Sequence, residues 1–196
     1  MKWGLVPRTW REATVAFIPK PGKTSYALAK SFRPICLTSF VMKTFERLID
    51  WYLKERVIPR FPFSKYQFAY QAGLSTTTAL HELVSRVEQV FYQGRYALGI
   101  FIDVEGAFSE VPTEAMDRGM VRFKTPEVIR RWVLKALYTR RVAADSQGVS
   151  RTVAVTRGTA QGGVLSPTIW NMTIDGLLAE LGTRVPSVHA QAFSDD

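Results

Sequence analysis

Two apolar stretches that end in aspartate decide the fold of this chain. Residues 96–103 read YALGIFID, and residues 192–196 read AFSDD. The first stretch is apolar at odd and even positions alike, which is typical of a strand buried on both faces, and it predicts a strand over residues 96–102. A second apolar strand is predicted over residues 188–193. If these strands pair, their ends bring the carboxylates of Asp103 and Asp195 together.

Two carboxylates at such short range repel each other, and one stays protonated unless a cation intervenes. Mg²⁺ meets this need, because it prefers carboxylate oxygens and keeps free positions for phosphate. Two such ions lower the cost of an attacking hydroxyl and stabilise a leaving pyrophosphate. Either aspartate alone would be ordinary turn chemistry. Together they predict a two-metal phosphoryl-transfer site, provided that other motifs accompany them.

Predicted helices and strands alternate through the rest of the chain. Thr38 or Ser39 can cap a helix whose apolar face is Val41, Phe45, Leu48, Ile49, Tyr52 and Leu53. The helix predicted over residues 76–92 turns inward the side chains of Leu80, Leu83, Val84, Val87 and Phe91. Further helices are predicted from Thr113 to about Phe123, from Thr125-Pro126-Glu127 onward, and from Ser166 to Leu181. Further strands are predicted over residues 12–19 and as a hairpin of 141–145 with 152–156. Because these strands need not be parallel, the expected class is α+β.

The balance of charge favours a polyanionic partner. Lys and Arg number 26 against 17 Asp and Glu, a net charge of +9. This surplus suits nucleic acid, although an ordinary basic protein has the same balance. The single cysteine, Cys36, excludes an internal disulfide and a cysteine-based zinc site. No apolar run reaches about 18 residues and no signal peptide is recognised, so we expect neither a membrane span nor secretion.

Six segments in order carry a resemblance to a known family. They are IPKPGK at 18–23, SFRPICLTS at 31–39, KTFER at 43–47, FIDVEGAF at 101–108, RGTAQGGVLSP at 157–167 and FSDD at 193–196. With these segments the chain resembles the reverse transcriptase domain of non-LTR (LINE-like) retrotransposons, nearest to the jockey and R1 groups. Any one segment is weak evidence, whereas six in order at the family's spacing are very specific.

The resemblance implies a set of metal ligands. Asp103 and Asp195 would hold two Mg²⁺ ions, with Mn²⁺ as a substitute. The carbonyl of Val104 would help, and Asp196 would lie alongside. A cation between the two aspartates is also what their charges require.

The resemblance also implies a nucleotide site. The ring of Phe108 would be a steric gate that fills the space of a ribose 2′-hydroxyl, although without the family Phe108 could equally be core. Lys20 and Arg33 would clamp the triphosphate, since Arg suits bidentate phosphate contacts and Lys supplies a point charge. Gln161 and Gly162 would let the backbone approach the nucleotide and template closely, because glycine carries no side chain.

Several positions depart from the family pattern. Ser109 stands where relatives usually have Asp. Thr159 and Ala160 replace the Cys and Pro of a Gly-Cys-Pro-Gln-Gly loop. Phe193 and Ser194 replace the Tyr and Ala of a Tyr-Ala-Asp-Asp motif. The carboxylates and the glutamine persist, so these changes predict relaxed selection or less accurate copying.

The implied fold is that of a right-hand polymerase without its thumb. Residues 1–95 would form the fingers and finger/palm helices, and residues 96–196 an incomplete palm with a ferredoxin-like sheet. The implied partners are an RNA template, a DNA primer and deoxynucleoside triphosphates, with the nucleus as the expected location. In the family a return strand and thumb follow and an endonuclease usually precedes, so this chain alone is expected not to polymerise.

Two alternatives stay open. One is a non-catalytic module that binds RNA or an RNA–DNA hybrid through backbone contacts. The other is a polymerase of the group II intron maturase type. The segments at 38–47 and 97–108 favour the LINE-like reading over the maturase.

Overall fold

The chain contains one four-stranded sheet and a group of α-helices. The structure is a computed structural model that describes residues 6–146 and 149–194. In chain order its elements are α1 (Arg8–Arg11), β1 (Glu12–Pro19), a 3-10 turn (Ala29–Ser31), β2 (Phe32–Thr38), α2 (Phe40–Tyr52), a π-helical turn (Leu53–Val57), α3 (Thr76–Tyr92), α4 (Thr113–Arg122), α5 (Glu127–Tyr138), β3 (Arg140–Ser146), β4 (Val149–Val155) and α6 (Ser166–Arg184).

Four strands form one mixed sheet in the order β2-β1-β3-β4. β1 runs antiparallel to β2, with Ala13 opposite Thr38 and Pro19 opposite Phe32. β1 is parallel to β3, and β3 forms an antiparallel hairpin with β4. The sequence predicted β1 and the hairpin, and both are confirmed. It did not predict β2, which contains Pro34; a proline is tolerated there because β2 is an edge strand.

The core lies among four helices. α2, α4, α5 and α6 contribute most of a buried apolar cluster, whose members include Met42, Ile49, Met116, Met120, Trp132, Val133, Ile169 and Met172. α4 crosses α6 at Gly119, where an added Cβ would lie 2.8 Å from the carbonyl oxygen of Met172. A glycine is needed at this crossing because any side chain would push the helices apart.

The predicted helix starts agree with the structure where a cap is present. Ser39 caps α2 by accepting a hydrogen bond from Met42 N at 3.1 Å. Ser75 and Thr78 form a capping box at the start of α3. α5 differs by one position: it begins at Glu127, Pro126 occupies the cap position, and the buried hydroxyl of Thr125 has no partner among the described residues.

The strands predicted over residues 96–102 and 188–193 are not formed. Residues 96–102 are irregular, and Tyr96, Leu98 and Phe101 are almost fully exposed. Residues 188–193 contribute one isolated bridge, between Ala192 and Gln67, rather than a strand paired with 96–102. A strand that is apolar on both faces is stable only with hydrogen-bonded neighbours and cover on both sides. The described residues supply neither to this segment.

α3 also exposes apolar side chains that were predicted to be buried. Leu80, Val84 and Phe91 were predicted to point inward, yet they are exposed, while Leu83 and Val87 are half-buried. On α2, Val41 and Leu48 are likewise exposed. The buried face of α2 includes Glu46 instead, which apolar periodicity could not indicate.

None of the described helices is both long and apolar enough to cross a membrane. The fold is therefore mixed α+β with a four-stranded sheet.

Candidate functional site

The last described residues are fixed against α6 by an intervening segment, residues 64–70. Asp175 of α6 accepts a hydrogen bond from Ser64 N at 2.5 Å, and Asn171 donates to Ala69 O at 2.7 Å. On its other side the segment pairs with Ala192, which donates to Tyr66 O at 2.9 Å and accepts from Phe68 N at 3.0 Å. Residue 192 is therefore held by backbone bonds, and α6 supports the segment that holds it.

Two aromatic side chains then fix Ser194. The indole Nε1 of Trp170 donates to Ser194 O at 2.6 Å, and the hydroxyl of Tyr70 lies 2.8 Å from Ser194 Oγ. We call Tyr70 and Trp170 the aromatic bracket. The next residues, Asp195 and Asp196, carry the predicted carboxylates and lie outside the described residues.

Phe108 contacts the same aromatic bracket. Its ring centroid is 6.2 Å from that of Tyr70, nearly perpendicular, and 5.8 Å from that of Trp170, tilted by 37°. Such edge-on and tilted arrangements are the favourable ones for aromatic pairs. The predicted sugar gate and Ser194, the residue that precedes Asp195, thus contact the same two aromatic side chains. Sequence reasoning missed Tyr70 and Trp170, because nothing local distinguishes them from other aromatic residues.

Asp103 lies five residues before Phe108, in irregular backbone just before a turn that begins at Glu105, rather than at the end of a strand. Its side chain is exposed, and Val104 is half-buried. The turn is closed by Gly106 O, which accepts from Ser109 N at 2.9 Å and from Glu110 N at 2.8 Å. Within the described ranges no three His, Cys, Asp or Glu side chains cluster as a metal site would require. The carboxylates needed to complete such a group with Asp103 lie beyond residue 194.

The loop of residues 157–163 connects Phe108 to the sheet. Thr159 N donates to Phe108 O at 2.6 Å and Gly158 N to Val111 O at 2.8 Å. At the other end Gln161 O accepts from Cys36 N of β2 at 2.8 Å. Gly162 has φ +96° and lies against Ile35, so its backbone conformation and its neighbour both favour glycine.

Lys20 and Arg33 lie on the β1–β2 hairpin. Arg33 is exposed and pairs in register with Ile18, while Lys20 follows the end of β1. The intervening loop is closed by Lys20 N donating to Ser31 O at 2.8 Å and by Tyr26 donating to Lys20 O at 2.9 Å. In the described part of the chain neither cation forms an ion pair. Two cations thus stay available on the hairpin that also carries Cys36, the contact of Gln161.

Replacing Gly158 by Ala is expected to destabilise the fold by about 2–4 kcal/mol. Gly158 has φ +68°, and an added Cβ would lie 2.3 Å from Ser109 O and 2.5 Å from Phe108 O. Both atoms are backbone, so neither can move without shifting the turn. Thermal and urea unfolding of the variant measure the effect.

Gly182→Ala in α6 is the matched control. A Cβ added at Gly182 meets nothing within 4 Å. This change should be neutral or stabilising, because alanine favours helix over glycine by about 1 kcal/mol. A Gly158→Ala protein as stable as the control would show that the turn carrying Phe108 is not held as described.

Comparison with known proteins agrees with the motifs. The sequence pattern of the family described as reverse transcriptase (RNA-dependent DNA polymerase) matches residues 18–196. A probable RNA-directed DNA polymerase from transposon BS of Drosophila melanogaster is 30% identical over 85% of this chain. The RNA-directed DNA polymerase from mobile element jockey of the same species is 28% identical over 86% of it. The chain spans 18% of the length of each of these relatives.

A solved structure shares the fold. Apo telomerase from Candida tropicalis, truncated from its C-terminal domain, superimposes with a TM-score of 0.54 at 13% identity. The match covers 93% of this chain and 42% of the telomerase chain. At this identity the likeness concerns the fold alone, and it is consistent with polymerase fingers and palm. The family match covers nearly the whole chain, so this chain belongs to the reverse transcriptase (RNA-dependent DNA polymerase) family, and it is similar to the RNA-directed DNA polymerase from mobile element jockey and to a putative 115 kDa protein in the type-1 retrotransposable element R1DM.

Proposed function

We propose that this chain is the fingers and part of the palm of a retrotransposon polymerase that adds deoxynucleotides to a DNA primer on an RNA template. Residues 1–95 form the fingers and finger/palm helices in this proposal, and residues 96–196 the palm. One observation carries it: Phe108 and Ser194, far apart in sequence, contact the same aromatic bracket. This shared contact supports a site to which the turn after Asp103 and the backbone at Ser194 both contribute.

Asp103, the carbonyl of Val104, Asp195 and Asp196 are the residues that would hold divalent metal in this site. Carboxylate and carbonyl oxygens are the donors that Mg²⁺ and Mn²⁺ prefer. The exposed side chain of Asp103 is free to take that role, and the family as a whole uses divalent metals. Bound there, two Mg²⁺ ions would supply charge neutralisation for the attacking hydroxyl and the leaving pyrophosphate.

Phe108 would exclude ribonucleotides by its position. Its ring is half-buried and is held from two sides by Tyr70 and Trp170. A ring fixed in this way cannot swing aside to admit a 2′-hydroxyl, whereas an unsupported ring could. The contacts of Phe108 with Tyr70 and Trp170 therefore favour a role as steric gate over a role in core packing alone.

Lys20 and Arg33 would bind the triphosphate, and Gln161 and Gly162 would lie against the nucleotide. The two cations project from one hairpin, and Gln161 is tied to the same hairpin through Cys36. The backbone at Gly162 has no side chain to hold a base or sugar away. The phosphates, the sugar and the base are thereby assigned to adjacent parts of one surface.

The partners in this proposal are an RNA template, a DNA primer and deoxynucleoside triphosphates, with the nucleus as the place of action. The net charge of +9 supports binding to the phosphate backbone. A second candidate function is RNA or hybrid binding without catalysis. It is favoured by residues 96–102, which precede Asp103 and belong to no strand of the described sheet.

Residues 1–196 are expected to bind single-stranded RNA with an affinity that falls steeply as salt rises, because each phosphate contact releases counterions. Little dependence on sequence is expected, since phosphate contacts carry none. Replacing Lys20 and Arg33 by Gln should reduce the slope of log K against log salt by about 0.7 for each lost contact. Fluorescence anisotropy at several salt concentrations measures both.

Arg151→Gln is the control, because Arg151 is exposed on β4, the strand at the far edge of the sheet from β2. A control slope equal to that of the Lys20/Arg33 double variant would show that the two cations have no special role. Binding insensitive to salt would contradict both candidate functions. Binding with primer extension favours the polymerase, and binding without it in an extended protein favours the second candidate.

A further inference from the structure

A cavity whose largely apolar lining includes several buried polar and charged side chains lies behind the loop that carries Gln161. It is lined by Arg11, Thr38, Glu46, Arg140 and Ser166 among others, and its volume is about 30 Å³. Arg140 is 7% exposed and Glu46 is 8% exposed. Most of the remaining lining is apolar, from α2, α5 and α6. Charged side chains at such depth are rare unless they are paired.

Four polar atoms around this cavity lack a partner. They are Nε of Arg11, Oγ1 of Thr38, and Nε and Nη1 of Arg140, none of which hydrogen-bonds to any described residue. Glu46 and Arg140 form no direct ion pair in the same part of the chain. Orphan donors of a buried guanidinium are costly, and proteins normally satisfy them with protein groups or ordered solvent. The residues that carry all four atoms line one cavity, which points to a partner shared among them.

The remaining atoms of the two charged groups hold the 157–163 loop and its continuation into α6. Nη2 of Arg140 donates to Arg157 O at 3.2 Å and to Gly158 O at 3.4 Å. Oε2 of Glu46 accepts from Val164 N at 2.9 Å. Arg140 of β3 is therefore hydrogen-bonded to the first residues of the loop, and Glu46 of α2 to the residue just past its end.

We propose that ordered water fills this cavity and bridges Glu46 to Arg140, and that the bridged pair positions the loop bearing Gln161 and Gly162. A buried water needs a cavity of at least about 10–15 Å³ and two to four polar partners, so this cavity accommodates one or two. Water can accept from Nε and Nη1 of Arg140 and donate to the Glu46 carboxylate, which an anion cannot do. Burial raises the pKa of Glu46, while the Val164 and Leu165 amides and the charges of Lys43 and Arg140 oppose that rise.

The water site does not depend on the polymerase function, whereas the importance of the loop rests on it. Glu46 and Arg140 are positioning residues in this proposal, since they act through the loop and are assigned no contact with substrate. Their long-range contacts explain why charged residues occupy two of the least exposed positions of α2 and β3. Replacing either should loosen the loop even without nucleotide or nucleic acid present.

The test is NMR on isotopically labelled residues 1–196. Water-to-protein cross-relaxation should show long-lived water at Nε–H of Arg140. Arg140→Met should raise the exchange rates of the Gly158 and Thr159 amides by about tenfold, the amount expected for one lost hydrogen bond. Arg141→Met, the next residue and exposed, should change neither rate.

Glu46 is tested by a pair of variants of similar size. Glu46→Gln keeps an acceptor for Val164 N and should leave its exchange within about threefold of the original, whereas Glu46→Leu should raise it about tenfold. Equal effects of Gln and Leu would reduce Glu46 to a packing residue and overturn the positioning role. Absence of long-lived water, or loop protection that depends on chloride concentration, would overturn the water site. RNA binding measured on the same samples reports separately on the proposed function.

Discussion

Replacing Asp103 by Asn is expected to lower primer extension on an RNA template by about a thousandfold or more, equivalent to about 4 kcal/mol in the transition state. The change removes one proposed metal ligand and one negative charge together. The side chain of Asp103 is exposed and forms no ion pair with any described residue, so the fold should be unaffected. The assay uses a chimera in which this chain replaces the matching segment of the jockey polymerase.

Asp145→Asn is the control for this experiment, because Asp145 is exposed on β3 and has no place in the proposed site. It should extend primers like the parent chimera. Extension by the Asp103→Asn chimera at the rate of the Asp145→Asn chimera would remove Asp103 from the chemistry. Circular dichroism of both variants separates a catalytic loss from unfolding.

Replacing Phe108 by Ala is expected to raise the use of ribonucleotides relative to deoxynucleotides by about a hundredfold. In the proposed site the flat ring fills the space of a 2′-hydroxyl, and its removal opens that space. Deoxynucleotide use should fall less, because the phosphate and base contacts assigned to other residues remain. The measurement is kcat/KM for each sugar in the chimera.

The control for the sugar gate is Phe108→Tyr, which keeps a ring between Tyr70 and Trp170. It should preserve the preference for deoxynucleotides. Some loss of stability is expected in the Ala variant alone, since it removes the ring that packs on the bracket at 6.2 and 5.8 Å. An unchanged sugar preference in the Ala variant would leave Phe108 with a packing role only.

Features set by neighbouring residues were predictable from the sequence. The sequence predicts Thr38 or Ser39 as the cap of α2, and Ser39 is the cap in the structure. It also predicts a hairpin of residues 141–145 with 152–156, which β3 and β4 confirm. These succeed because a cap or a tight pairing depends on a few adjacent side chains.

Features set by distant partners were not predictable in the same way. Residues 96–102 have the composition of a buried strand, but a strand exists only where neighbours pair with it, and none of the described segments does. β2 was not predicted, because Arg33 and Pro34 are untypical of a strand. β1 nevertheless pairs with β2 along the whole length of β2. Composition favours a structure, and the partner decides whether it forms.

In the candidate site, too, the residues of sequence motifs were predictable, whereas the residues that support them through long-range contacts were not. Asp103, Phe108, Gln161 and Gly162 came from motifs. The structure places Phe108 and Ser194 against the same aromatic bracket and Gln161 against β2. The supporting residues were missed. Trp170 donates to Ser194 O and Glu46 accepts from Val164 N, and no local pattern records a contact across so many residues. The roles of the motif residues in catalysis stay predictions.

In the proposed site, Asp103 and Asp195 share a divalent metal beside the aromatic bracket. The indole N–H of Trp170 reports on this directly, because it donates to the carbonyl of the residue before Asp195. Mn²⁺ titrated into labelled residues 1–196 should broaden this NMR signal at concentrations that leave the indole of Trp132, buried in the helical core, unchanged. Asp103→Asn should abolish the selective broadening and Asp145→Asn should preserve it. Broadening of the Trp170 signal that persists in Asp103→Asn, or that is absent from the unaltered chain, would contradict the shared metal site.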